Sequence, residues 1–355
     1  MTKKCNCLLV ISFLFFFHPF SFSQTPGNVS ANLKLWVKSD SGVTTVAGNQ
    51  VIEWSNRISN PTISLQASKP PTSHVILLPN KFNYNPSVVF DGTPFEELRG
   101  ISSASDFTGQ LTAYSIANYT CPSYIDGYKL CSVISLDRKG IMLLETSYLA
   151  DGHGTTEAST ANTTPGTVNG SQLISVEYQS NSTNNTSIFR NGHLEENYQG
   201  SGINAPVSDT FEIGGRMALG WHTRILVGNI GEVVVYKGLH TQAEREKIES
   251  YLSLKYGLTL DHASIAAYLN SNGNPIFSDL AGNYWNDITC IGRDDNTTLS
   301  QKQSHQSDDK TRLYISALQA TNETNTGSFS SDNPYVVIGH NNDDINGTVA
   351  SSEYP

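Results

Sequence analysis

The sequence predicts a mainly β protein: an antiparallel jelly-roll sandwich with a C-terminal capping helix, then the start of a second β-rich domain. Three observations predict it. Short segments rich in Val, Ile, Tyr and Phe recur between turn residues, several alternating apolar with polar side chains as half-buried strands do. Only the segment 241–257 carries strong helical periodicity. The 355 residues are 38% hydrophobic and 15% charged, which suits a layered β core better than a helical one. So many short strands over about 200 residues fit two stacked sheets, with a barrel as the other open architecture.

The elements follow in order. Residues 1–23 read as an export signal: Lys3 and Lys4, an apolar run at 8–17, then Ser21-Phe22-Ser23 placing cleavage before Gln24. That run is shorter than the roughly 18 residues needed to span a membrane. Cys5 and Cys7 leave with the signal. Cys121 and Cys131 could then close a short disulfide loop, leaving Cys290 single, while three buried thiols is the other reading. Neither CxxC nor clustered histidine accompanies them, which argues against a metal there. With 22 basic against 32 acidic residues the net charge is −10, and a nucleic-acid partner is excluded for want of a basic face.

Strands are expected at 33–38, 87–90, 111–119, 130–136, 141–145, 173–178, 187–190, 211–213 and 230–236. Arg190-Asn191-Gly192-His193 is the clearest hairpin, because Asn-Gly tolerates the positive φ angles of a two-residue turn. The segments 155–171 and 179–187 have almost no apolar side chains; the first reads as a long surface loop, the second as an extended hairpin or strand approach. Thr241 and Glu244 form a capping box, Ile248, Tyr251, Leu252 and Tyr256 make one apolar stripe, and Gly257 supplies a left-handed stop. This helix reads as a structural strap. Beyond it come a helical turn at 265–269 and strands at 287–291, 312–318 and 335–339. The expected organisation is a signal at 1–23, a sandwich at 24–258 with its helix, and a second unit at 259–355 that continues past Pro355 in a longer protein.

Particular segments carry a resemblance. GNVSANLKLWVKSDSGV, FNYNPSVVFDGT and GNIGEVVVYKGLHTQAEREKIESYLSLKYGLTL resemble the LamG-like, concanavalin A-like lectin/glucanase jelly-roll domains of Bacteroidota secreted surface proteins. NDITCIGRDDNTTLSQKQS is similar to the uncharacterised domain that often follows that module. The resemblance implies Sec export, often with type IX secretion, an extracellular or outer-surface location, and carbohydrate or protein binding. It supplies no ligand residues.

Catalytic patterns are absent from the sequence. The E-x-D-x-x-E strand motif of sandwich glycosidases does not begin at Glu145, Glu177 or Glu212, and G-x-S-x-G, H-E-x-x-H and GK[ST] do not occur. Asn342, Asp344, Asn346 and Glu353 match calcium-loop spacing around Gly347, although a strand precedes them and an ordinary turn is the favoured reading. Asp151 and His153 in DGHG, and the Trp221-His222 pair, are the candidate ligand contacts. Trp36 and Trp54 are expected in the core, and Arg293 with Asp294 and Asp295 in an ion-paired turn. Together these point to an exported, non-catalytic binding or adhesion module for an extracellular glycan or surface protein. It carries no cofactor unless calcium binds. A jelly-roll polysaccharide-active enzyme and a spacer in a large surface protein are the alternatives.

Overall fold

The computed structural model describes residues 24–58, 65–67, 74–93, 96–101, 110–120, 132–136, 141–142, 148–151, 157–159, 170–179, 186–198, 210–215, 226–279, 281–305 and 311–341. They form a mainly β protein, an antiparallel sandwich carrying a single helix. The central sheet runs Leu33–Lys38, Val227–Lys237, Gln110–Thr120, Gln172–Gln179, Thr186–Arg190, His193–Tyr198, every neighbour antiparallel. The second sheet runs Val43–Val46, Gln50–Trp54, Leu65–Ala67, Leu98–Ile101, Thr210–Ile213, Ile134–Leu136, and continues through Ile141–Met142, Tyr148–Asp151 and Glu157–Ser159. A hairpin, Ile76–Phe82 with Asn85–Asp91, pairs with the first half of Val227–Lys237 and with Gln50, and so joins the two layers.

Alternation along the strands decides what lies between the sheets. Leu35 and Val37, Ala113 and Ala117, Ile174 and Val176, and Val233 and Val235 face inward and meet Trp54, Leu65, Leu98, Phe211 and Ile213 of the second sheet. Each fully buried Val or Leu side chain contributes about 1.5–3 kcal/mol relative to exposure. The intervening residues Trp36, Tyr114, Ile116, Leu173, Val234 and Tyr236 point the other way, yet they are equally buried. A third layer covers them.

That layer is the helix Gln242–Tyr256 together with the chain that follows. Thr241 Oγ1 accepts from the Glu244 amide at 3.3 Å, and the Glu244 carboxylate accepts from the Thr241 amide at 2.9 Å, so the expected capping box forms. Gly257 closes the helix at φ 67°. Ile248, Tyr251, Leu252 and Tyr256 are buried as expected, but so is every residue from Ile248 to Tyr256. The last two turns are enclosed on all sides, so the helix is more than a strap laid on one face. Leu260, Tyr268, Trp285, Ile288, Cys290 and Leu299 complete the second core around it. Among the described residues the helix is too short and polar to cross a membrane.

The Asn191–Gly192 turn takes φ values of 49° and 82°, the hairpin geometry its sequence calls for. Strands form at all nine expected places in the sandwich, although of two of them only 132–136, with its strand at Ile134–Leu136, and 141–142 are described. Several strands were not foreseen, including Val43–Val46, Gln50–Trp54, Ile76–Phe82 and Leu98–Ile101. Glu157–Ser159 is a strand inside a segment read as loop. Around 265–269 the expected helical turn is instead a short ladder, Tyr268–Leu269 with Pro275–Phe277, because Tyr268 is drawn into the second core beside Trp285. Asn286–Asp294 then pairs with Leu299–Gln301 and Tyr335–His340, and Gln303–His305 with Arg312–Tyr314. The expected strand at 312–318 stops at Tyr314.

Candidate functional site

One irregularity in the central sheet organises everything beneath the helix. Register shifts between Ile230 and Glu232, and this bulge at Gly231 reverses which side chains face outward. Ile230 points between the sheets, whereas Glu232 turns to the helix. Glu232 is fully buried and accepts four hydrogen bonds: Trp36 Nε1 at 2.6 Å and Tyr251 OH at 2.9 Å on one oxygen, Lys255 Nζ at 2.8 Å and Tyr256 OH at 3.0 Å on the other. Lys255 also reaches Asp40 Oδ2 at 2.9 Å, and Lys38 Nζ lies 3.6 Å from Asp40 Oδ1. Two cations and two anions therefore share one cluster, buried at Glu232, Lys255 and Lys38 and open to solvent at Asp40.

The electrostatics are consistent with that geometry. Burial pushes the Asp40 carboxyl up, but Lys255 and Lys38 outweigh it and bring it down to about 2. Burial alone would depress Lys255; Asp40 and Glu232 overcome it and raise the ammonium above its ordinary value. Lys38 is lowered to about 8 by burial and by repulsion from Lys255. Burial, then the Glu232 charge, raises Tyr251 and Tyr256 well above the usual phenol range, so both remain donors. A buried charge is tolerable only when paired and hydrogen-bonded, and each charge here is.

Beside the cluster a lock of amides joins the sandwich to the second core. The hairpin turn at Asn83 and Tyr84 takes φ values of 50° and 64°. Asn83 Nδ2 and Asn85 Nδ2 both donate to the Lys255 carbonyl, at 3.1 and 3.0 Å, capping the end of the helix. Asn83 Oδ1 accepts from the His305 amide at 2.9 Å and Ser304 Oγ at 3.1 Å; Gln301 Nε2 donates to the Asn83 carbonyl at 2.9 Å. The polar residues of FNYN and LSQKQS thus interlock.

Between these parts opens a cleft of about 580 Å³. Its walls come from the turn after the first strand (Asp40, Ser41), the hairpin (Leu77, Tyr84, Asn85), the helix end (Lys255), and the segments around Ser300, Lys302 and Glu323. Asp40 presents a 28% exposed side chain to it. Ser41 Oγ is enclosed and has no hydrogen-bond partner, whereas Ser300 and Glu323 are exposed at the cleft. Tyr84 is fixed edge-on to His305, with ring centroids 5.1 Å apart. The cleft falls in the size range of small-ligand sites, but its walls are more polar than most.

Two further groups of charges lie elsewhere. His74, Asp91 and Glu96 bring their ligand atoms within 4.8 Å of one another, the one such trio among the described residues that could hold a metal. Glu96 is already engaged, accepting the His74 amide at 2.6 Å and facing His74 Nδ1 at 3.2 Å. On the second sheet Arg99 bridges the buried Glu97 and Glu212 at 2.6 and 3.1 Å.

Of the ligand and metal candidates singled out from sequence, only Asp151 lies among the described residues. Asp151 ends the strand Tyr148–Asp151, opposite Ile141. His153, Trp221, His222, the calcium string Asn342, Asp344, Asn346 and Glu353, and the cysteines Cys121 and Cys131 lie outside the described residues. Cys290 is a buried free thiol, raised by burial. Trp36 and Trp54 are core residues as expected, and Arg293 pairs with Asp295 at 2.7 Å. Sequence reasoning missed Asp40, Glu232 and Lys255. The available signal was a lone acid entering the apolar run of GEVVVY and a lone lysine in SLKYG at a helix position that sequence reasoning left outside the apolar stripe.

By fold and site, this is a β-sandwich protein with a polar cleft between the sandwich, the end of its helix and the segments around Ser300 and Glu323. Residues 244–354 match the family described as a domain of unknown function (DUF8202), a match that begins inside the helix. No curated protein matches the sequence. Among solved structures, the chain is similar to Trypanosoma rangeli sialidase in complex with sialic acid (13% identity, 63% of this chain, 33% of the sialidase, TM-score 0.40). It is also similar to domain 4 of AbnA, an extracellular arabinanase from Geobacillus stearothermophilus in complex with arabinotriose (13% identity, 63% of this chain, 99% of that domain, TM-score 0.36). The binding domain of Paraclostridial Mosquitocidal Protein 1 is a third (12% identity, 62% of this chain, 52% of that one, TM-score 0.43). The chain thus spans a third of the sialidase. At TM-scores of this size, the reading of the site rests on the residues themselves.

Proposed function

We propose that this chain is an exported, non-catalytic binding module of the LamG-like kind, and that its cleft recognises a glycan. The observation that carries the reading is a cleft lined by the exposed residues Ser300 and Glu323 beside Tyr84. Sugar hydroxyls both donate and accept, so they match a wall of mixed hydroxyls and carboxylates. A rigid site keeps the ordering cost of binding low. Rigidity here comes from the amide lock and the charge cluster, which fix the cleft before any ligand arrives. The sandwich at 24–258 and the unit at 259–355 act together, because each supplies one side of the site.

Binding to a glycan array, followed by calorimetry on the best ligand, tests this reading. Ser300→Ala should weaken that ligand by about 1 kcal/mol, the net worth of one hydrogen bond. Glu323→Gln should also weaken it, and reducing-sugar release should stay at background. Silence across the array, or binding indifferent to both substitutions, overturns the assignment.

A further inference from the structure

Lys255, Asp40, Glu232 and Lys38 stand in an arrangement that does more than balance charge. Lys255, its side chain 4% exposed, places Nζ 2.9 Å from Asp40 Oδ2 and 2.8 Å from Glu232 Oε2. Trp36, Tyr251 and Tyr256 donate to Glu232 and wall the amine off, with the Tyr256 ring centroid 4.9 Å from Nζ. Asp40 and Lys255 both border the cleft. A nucleophile, a carboxyl electrophile and a base are thus held in contact, dry on one side and open to solvent on the other.

We propose that Lys255 and Asp40 condense into an intramolecular amide crosslink, with Glu232 carrying a proton and Lys38 stabilising the intermediate. At rest Lys255 is an ammonium and Asp40 a carboxylate, and the reaction passes through the minor arrangement in which the ammonium gives one proton to Asp40 Oδ2. The neutral amine then attacks Asp40 Cγ. The N–C bond forms, and the carbonyl pair moves onto Oδ1, which faces Lys38 Nζ at 3.6 Å in the resting geometry. Glu232 takes a second proton from the attacking nitrogen and returns it to the Oδ2 hydroxyl as that C–O bond breaks. Water departs through the cleft. An ammonium and a carboxylate become an amide and one water, with no change in oxidation state. Contact distance substitutes for an activated ester, since a fixed pair reacts as though at very high concentration.

The bond would tie the turn after the first strand to the last turn of the helix. Tension entering at the helix would then bypass the sandwich, a useful property in a surface module. The proposal does not depend on what the cleft binds.

Intact mass and peptide mapping of the purified full chain test it. The expected result is a protein lighter by one water, after allowance for N-terminal processing, with Lys255 and Asp40 peptides recovered as one linked species. Glu232→Gln should slow linkage by about 100-fold or more, and Lys255→Arg, which keeps the positive charge, should abolish it. Recovery of both peptides unlinked from wild-type protein after prolonged incubation overturns the proposal. So does a water loss confined to the Asp40 peptide, which signals cyclisation on its own backbone. If the variants fail to fold, the wild-type linked peptide alone decides.

Discussion

The two faces of the central sheet are equally buried but built on different terms. The inward face is apolar almost throughout, and it packs against a second sheet by simple alternation. The outward face mixes Tyr114, Val234 and Tyr236 with Glu232, Ser175 and Glu177, and it meets a helix whose buried side includes Glu249, Ser253 and Lys255. One face depends on volume and the other on polar pairs, complete around Glu232 but leaving Ser253 Oγ and Glu249 Oε2 without partners. Damage should follow different rules on each.

The sharpest contrast comes from Glu232→Ala. It leaves Lys255, two phenols and an indole without their shared acceptor, and it should cost about 3–5 kcal/mol in urea unfolding. Leu35→Ala on the opposite face creates only a cavity, and about 3 kcal/mol is expected. The distinction sharpens with a volume-conserving swap. Leu35→Met should recover most of the loss, whereas Glu232→Gln should not, because it offers one acceptor oxygen where Glu232 uses two. Equal recovery at both sites would break the comparison.

Next in size is the amide lock. Asn83→Ala removes a partner from the Lys255 carbonyl and from the His305 amide, and a loss of about 2 kcal/mol is expected from the buried groups left unmet. The effect should appear as faster hydrogen exchange in both Asn85–Asp91 and Gln303–His305. A change confined to the hairpin would mean the lock does not couple the two units.

The smallest effect is a pH slope. Burial raises the Glu249 carboxyl to about 7, with Ser175 and Arg245 opposing and Glu177 and Glu246 reinforcing the rise. The folded state then holds a proton that the unfolded state releases near its ordinary value of 4.5. Stability from this group is complete below that value and is lost as pH rises through about 7. His240 works the other way: burial lowers it to about 4, so its contribution grows as pH rises toward 6.5. Glu249→Gln should therefore steepen the gain in stability between pH 5 and 6.5, read from urea midpoints. An unchanged slope contradicts the assignment.

Legibility in the sequence divides along the same line as the two faces. The inward face could be read because period-two alternation is local, and the capping box and Asn-Gly turn because their chemistry spans only a few residues. The outward face could not. Glu232 faces the helix only because the chain bulges at Gly231, and its partners Trp36 and Lys255 lie far away in sequence. Asn83 and Gln301 lie far apart in sequence, and only folding brings them together. The short strands Val43–Val46 and Leu98–Ile101 were missed because their patterns are too brief to stand out from loop sequence. The candidate cleft was illegible for the same reason, since no single segment contains it.

The account rests on the sandwich and the following unit sharing one core through the outward face. Hydrogen exchange across a urea series, comparing Gln110–Thr120 with Asn286–Asp294, tests that most directly. One midpoint for the slowest amides of both strands is the predicted result. Asn286–Asp294 opening well before Gln110–Thr120, in a separate transition, would contradict it.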